Sequence, residues 1–286
     1  MMKKYYLSTI MVATMALASC SNESDNADSM TPVTEGHQTT LTFTAGMSYG
    51  AATRTAIDTE NGLKLLFQNN DQILIQDYNL EVTDATATLP EGQKETSPTC
   101  SFTASFSDDT TGPYTAFYPQ SAFSATPGEL ISAGTLKAEQ EVTTAGTFDP
   151  EAHIMTATSV ISQTCFLFQT RNAFLKFTAP FNLSMVKLQG YNGEKIAGNF
   201  TIESDGSIKA ADNASSEVTL AGDMQEGNVY YIALIPTVFE NGVTVTLTNF
   251  QDEEFTYRTE EPVTFLPNKV NTISAEKLQN LPHDAE

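Results

Sequence analysis

Alternation constrains this chain more than any other feature. In "TLTFTA" (Thr40 to Ala45), Leu41, Phe43 and Ala45 fall on one face of an extended strand and the threonines on the other. Further short β-rich runs follow in "CSFTASF", "YTAFYP", "MVKLQGY", "IAGNFTI", "EVTLAG", "NVYYIALIP", "VTVTLTNF" and "EFTYRTE". The runs are set apart by Gly, Asn, Asp and Pro, the residues that turn a chain. Helical periodicity is scarce; "FDPEAHIMTA" has room for one short helical turn. The pattern predicts an all-β chain of the sandwich type. About seven such runs lie on either side of residues 160–165, which predicts two sandwiches. The "SVISQTC" stretch between them is no Pro/Gly-rich linker, so the two are expected to share a packed interface. "LKLLF" and "QILIQDY" flank the turn cluster "QNND" and read as a hairpin, and "FLFQTRNAFLKFTAP" reads as one long aromatic run.

The N-terminus reads differently. Lys3 and Lys4 precede an apolar segment, Leu7 to Ala18, of 12 residues. That is too short for a membrane helix, which needs about 20, and has the length of a signal-peptide core. Leu17-Ala18-Ser19-Cys20 resembles the lipobox of bacterial lipoproteins. The resemblance implies that Cys20 becomes the first mature residue and carries a lipid that holds the chain at the outer membrane. An ordinary secretory signal with an incidental cysteine is the competing reading. The following "SNESDNADSMTPVTEGHQ" has almost no large apolar side chain and reads as a flexible tether. Its acidic residues Glu23, Asp25 and Asp28 resemble an export signal for surface lipoproteins of gut and oral Gram-negative anaerobes.

Charge narrows the partners. Thirty-five acids against 14 Lys and Arg give a net charge of −21. Such a surface repels nucleic acid and anionic lipid, so no nucleic acid is expected as partner. Besides Cys20 there are Cys100 and Cys165, far apart in strand-like runs. Two readings stay open for them, a disulfide or a pair of buried thiols. His37, His153 and His283 are isolated, and the chain has neither Gly-x-Ser-x-Gly nor a metal-binding His pair. Asp108-Asp109 reads as a solvated turn. No catalytic residue, metal or cofactor is expected, and the chain is not read as an enzyme.

The ordered set of segments resembles the fimbrillin family, the pilins and minor subunits of type V pili. The set comprises the lipobox at Cys20, "LTFTAG" followed by "ATRTAID", "LFQNNDQILI", "YTAFYPQSA", "AGTFDPEAHIMTATS", "FLFQTRNAFLKF", "IAGNFTI" and "FLPNKVNTISAEKL". Where the family usually has Trp and Gly-Asp in its early strand pair, this chain has Phe67 and Asn70-Asp71. The resemblance implies two transthyretin-like β-sandwich domains in series, 39–162 and 163–286, after a leader (1–19) and tether (20–38). It implies a structural or accessory pilus subunit that serves adhesion. Its partners would be other pilus subunits, the outer membrane through Cys20, and a host or bacterial surface receptor.

In type V shafts an Arg-specific protease removes the first strand, and the emptied groove accepts a strand from a neighbouring subunit. Arg54, in the Gly/Ala/Thr-rich "SYGAATRTAID", is the candidate processing site, with Thr55 as the new start. Leu41, Phe43 and Ala45 would be the core-facing residues of the exchanged strand. Arg171 and Arg258 lie in strand-like runs and are expected to be protected. Without cleavage the chain stays a lipid-anchored subunit. Asp28-Ser29-Met30 and Asp109-Thr110-Thr111 resemble O-glycosylation acceptors of the same anaerobes. The alternative reading is a glycan-binding surface lipoprotein of a polysaccharide uptake system, for which the chain offers ten tyrosines but no Trp as stacking platforms.

Overall fold

A computed structural model describes residues 38–47, 66–107, 109–279 and 281. Cys20, Arg54, Thr55, the leader and all of the tether but Gln38 lie outside the described residues. The chain is all-β. Its first half forms β1 (Gln38–Met47), β2 (Phe67–Gln68), β3 (Gln72–Gln76), β4 (Val82–Thr88), β5 (Thr96–Ser97), β6 (Cys100–Ser107), β7 (Thr115–Tyr118), β8 (Ala133–Leu136), β9 (Glu139–Glu141), β10 (Met155–Thr158) and β11 (Cys165–Thr170). Its second half forms β12 (Ala173–Thr178), β13 (Leu183–Gly190), β14 (Gly198–Ile202), β15 (Ile208–Ala210), β16 (Glu217–Met224), β17 (Val229–Leu234), β18 (Thr237–Phe239), β19 (Val243–Asn249), β20 (Glu254–Arg258), β21 (Val263–Phe265), β22 (Val270–Ile273) and the short helix α1 (Ala275–Gln279). The short helical turn expected in "FDPEAHIMTA" is a 3-10 turn at Pro150–Ala152. Asp149 caps it by accepting the Glu151 N–H at 2.9 Å.

Alternation puts the core where the sequence points it. Along β6, Cys100, Phe102, Ala104 and Phe106 are buried while the residues between them are not. Strands β1, β11, β10, β7, β3, β4 and β6 pair in that order and close into a barrel. Phe43, Phe67, Phe102, Phe106, Phe166 and Phe168 fill its interior. The second half packs the sheet β17-β12-β22 and the sheet β20-β19-β13-β16-β9 around Phe177, Leu188, Ile232, Val245 and Leu247. A third cluster draws on both halves: Leu74, Phe117 and Phe148 from the first, Phe174, Phe200 and Tyr231 from the second.

Three details depart from the sequence reading. β2 pairs with β5, and β3 with β4 and β7, so Phe67 of "LKLLF" lies opposite Ser97 rather than "QILIQDY"; residues 63–65 lie outside the described residues. The turn itself exists, with Asn70 at φ 74. However, the Asp71 carboxylate accepts the Gln68 N–H at 2.9 Å and the Asp71 carbonyl accepts the Ala87 N–H at 2.8 Å. These bonds set β3 against β4. Next, the aromatic run 166–180 is two strands in two sheets, broken at Arg171-Asn172. β11 therefore lies in the barrel, although it follows the expected boundary at 163. At the break, the buried Asn172 side chain accepts the Ile154 N–H at 3.0 Å, the kind of local side-chain bond that competes with a continuing ladder. Finally, β8 and β9 precede that boundary yet pair with β14 and β16 of the second half. The fully buried Gln140 on β9 donates to the Ala233 carbonyl at 2.7 Å and accepts its N–H at 2.9 Å, so a side-chain amide completes the flank of β17.

Candidate functional site: the slot of the first strand

β1 crosses from one neighbour to the other. Gln38 to Ala45 pair antiparallel with Ser107 to Cys100 of β6. Thr44 to Met47 pair parallel with Cys165 to Phe168 of β11. Thr44 and Ala45 are thus the two residues flanked on both sides, and Gln38 to Phe43 have a ladder with β6 alone among the described residues. The barrel closes through this strand.

Side-chain alternation sets what the strand brings to the core. Phe43 is completely buried, Ala45 is buried and Leu41 is half-buried at the rim. The Phe43 ring stacks on Phe166 at 4.9 Å and 10°, and meets Tyr114 edge-on at 5.0 Å and Phe106 at 6.5 Å. The outward hydroxyls pair across the strands, Thr40 with Ser105 at 3.1 Å and Thr42 with Thr103 at 3.5 Å. β1 carries no charged side chain. The strand is thus uncharged and held by its aromatic pocket, its ladder to β6 and a shorter one to β11. Its removal would expose the β6 edge and an apolar floor, the two features that β-augmentation satisfies together.

The two cysteines straddle this slot. Cys100 lies opposite Ala45, and Cys165 opposite Thr44. Two inter-strand spacings, about 9–10 Å, separate them, beyond the roughly 7 Å that a disulfide bridges. Cys100 also points inward, whereas Cys165 has the parity of the exposed Leu167 and Gln169. They are not bonded to each other. Burial, reinforced by the Asp71 charge, pushes the Cys100 thiol well above its ordinary value.

The other candidates have packing roles. Buried His153 meets the Thr170 hydroxyl at 2.9 Å and lies between Phe148 and Phe174, 4.9 and 5.7 Å from their centroids. His37 and His283 lie outside the described residues. No group of three or more His, Cys, Asp or Glu fit to hold a metal occurs among the described residues. Arg171 sits in the break rather than in a strand, half-buried, its Nε donating to Thr156 Oγ1 at 2.7 Å. Its guanidinium lies where a side chain on Gly206 would sit, and burial lowers its pKa. Arg258 ends the edge strand β20 and is exposed. The hydroxyl of Thr110, in the expected acceptor Asp109-Thr110-Thr111, donates to buried Asp77 at 3.1 Å. A cleft of about 800 Å³ beside the β3–β4 turn is lined by Leu74, Leu80, Glu81, Asp84, Asp109 and Pro127, among others, with no aromatic ring among the described residues of its lining. The residues that sequence reasoning did not assign to the slot are Phe106, Tyr114 and Phe166. Their alternation marks them as core, but nothing local ties them to Phe43.

Comparison with known proteins places the architecture. No family profile and no curated protein sequence matches the chain. Among solved structures, a "putative cell adhesion protein" of Bacteroides ovatus superposes with a TM-score of 0.51 at 13% identity, over 82% of this chain and 94% of that one. One so described from Bacteroides uniformis gives 0.48 at 16% identity over 73% and 87%. The tip fimbrial protein Mfa3 of Porphyromonas gingivalis gives 0.34 at 11% identity over 83% and 94%. Of these three, the B. ovatus protein superposes above 0.5, and at that identity the shared feature is the fold.

Proposed function

We propose that this chain is a fimbrillin-like surface subunit, structural or accessory to a pilus of type V, that serves adhesion and assembles by strand addition at the β1 slot. In this reading its two halves are transthyretin-like sandwiches in series. Cys20 carries the lipid that anchors the chain to the outer membrane, and Arg54-Thr55 is the processing site if the subunit enters a shaft. The observation that carries the reading is β1 itself, a charge-free strand inserted between β6 and β11 with Phe43 as its anchor. Emptying the slot leaves a subunit that accepts a strand from the next one. Repetition of that heterologous contact builds a filament.

The test is the N-terminus of protein recovered from the cell surface, by intact mass and sequence. A lipid-modified Cys20 start marks an anchored or accessory subunit. A start at Thr55 in high-molecular-weight material marks a processed shaft subunit. Soluble monomer with neither start overturns the reading.

A further inference from the structure

The loop 124–130 borders two concavities of opposite character. Ala125, Pro127 and Gly128 belong to the cleft of about 800 Å³, whose lining includes the carboxylates of Glu81, Asp84 and Asp109. Ser124, Thr126, Glu129 and Leu130 instead line a groove of about 400 Å³, together with residues of β8 and with Asn199 and Thr201 of β14. We propose that this groove binds neutral sugar residues of a surface glycan. The proposal rests on the adhesive part of the proposed function, for which it supplies the receptor chemistry. It needs neither cleavage nor strand addition.

The groove is held open by buried groups. Phe123 and Ile131, on either side of the loop, are buried in the third core cluster. Gln76 at the end of β3 is 2% exposed and clamps the loop from below. Its Nε2 donates to the Glu129 carbonyl at 2.7 Å, and its Oε1 accepts the Ile131 N–H at 3.1 Å. The tip is a tight turn, with the Glu129 N–H donating to the Thr126 carbonyl at 3.1 Å. Pro127 and Gly128, the latter at φ 78, occupy the central places that a type II turn requires. A loop fixed at its base and its tip keeps its side chains in place for a ligand. The opposite wall is equally constrained. At Gly134 of β8, a Cβ would lie 2.5 Å from the Phe200 ring and 2.8 Å from the Ala122 carbonyl oxygen. Glycine there lets β8 close onto β14, which joins the loop of the first half to a strand of the second. Grooves between packed units are common ligand sites.

The lining decides what fits. The exposed hydroxyls of Ser124, Thr126 and Ser132 can each donate and accept. The Thr135 hydroxyl donates to Asn199 Oδ1 at 2.9 Å, which orients that amide and leaves its NH2 to donate outward. Leu130, 66% exposed, offers an apolar surface at the rim. A sugar ring matches this set, with hydroxyls around its edge and C–H groups on its faces. A charged ligand does not. Glu129 is the one charged residue of the described lining, so an anionic sugar finds no cation there and meets a chain of net charge −21.

Titration of the isotope-labelled intact protein tests this. The probes are maltotriose, cellotriose, mannotriose, chitotriose and galactotriose, with trigalacturonate as the charged counterpart of the last. The expected result is saturable amide shifts in residues 124–132 and 199–201 with at least one neutral probe, and none with trigalacturonate. Asn199→Ala and Ser132→Ala, both at exposed positions, should each weaken that binding about fivefold, the worth of one hydrogen bond. The proposal is overturned if no neutral probe binds, if the shifts map elsewhere, if trigalacturonate binds as well, or if both variants bind unchanged. None of these outcomes bears on assembly, which the N-terminus of the surface protein decides separately.

Discussion

The two halves each hold one terminal strand in a parallel pair, β1 against β11 and β22 against β12. The pairing is alike, but among the described residues the attachment is not. β22 is pinned at both ends. Before it, the Asn268 N–H donates to the Asn172 carbonyl at 2.9 Å. After it, α1 sinks Leu278 fully into the core of the second half. The Asn271 side chain adds a bond to the Thr264 carbonyl at 3.0 Å. Among the described residues, β1 is held by its ladder with β6, its shorter ladder with β11 and the pocket around Phe43. If β1 is the exchanged strand we propose, the same parallel pairing serves as a fixed edge in one place and an exchangeable strand in the other.

The largest expected effect is at Phe43. Phe43→Ala empties the pocket and should cost about 3–5 kcal/mol. It should also raise the reaction of Cys100 with a thiol reagent more than tenfold under native conditions, because β1 covers that thiol. Leu278→Ala removes the pin of β22 and should cost about 2–5 kcal/mol in a denaturant melt. Its Cys100 reactivity should stay within twofold of wild type. If both variants expose Cys100 equally, the two strands are held alike and the contrast fails.

Gln140→Leu probes the other flank of the β22 sheet. It leaves the Ala233 N–H and carbonyl buried without this partner, at about 1–3 kcal/mol for each group. The loss should appear in the second half and leave β1 seated, read as hydrogen-exchange protection lost along β17 and kept along β1.

Alkaline pH sharpens the contrast further. The Cys100 pKa is raised in the fold, so above the unfolded value of about 8.5 the unfolded chain loses a proton that the native chain keeps. Stability should therefore fall as pH rises past that point, by up to about 1.4 kcal/mol per pH unit from this group. Cys100→Ala should remove that slope. The smallest effect is expected from Thr42→Ala, whose outward hydroxyl meets that of Thr103, at about 0.2–1 kcal/mol.

How much of this was legible in the sequence depended on distance along the chain. "TLTFTA" announced a strand with Leu41, Phe43 and Ala45 inward, and the structure places them so, with Leu41 at the rim. Alternation is local, and burial follows it. Which strand lies beside which is not local. The partners of Phe43 come from residues 106, 114 and 166, and no short-range pattern encodes that convergence. The break at Arg171-Asn172 was hidden because strong β-formers lie on both sides of it. β8 and β9 went unread because "AGTL" and "EQE" are too short and too mixed to alternate. The buried glutamine of "EQE" looks like a surface residue until Ala233 arrives opposite it.

The most direct test of the central claim is uptake of a free strand. An isotope-labelled peptide of residues 38–47 is incubated with the intact protein, with and without the oxidised Ala45→Cys link to Cys100. Replaceability of β1 predicts one peptide bound per unlinked chain, seated beside β6, and none bound to the linked chain. Exclusion of the peptide under conditions where Cys100 becomes reactive would contradict it, because the slot would then open without accepting a strand.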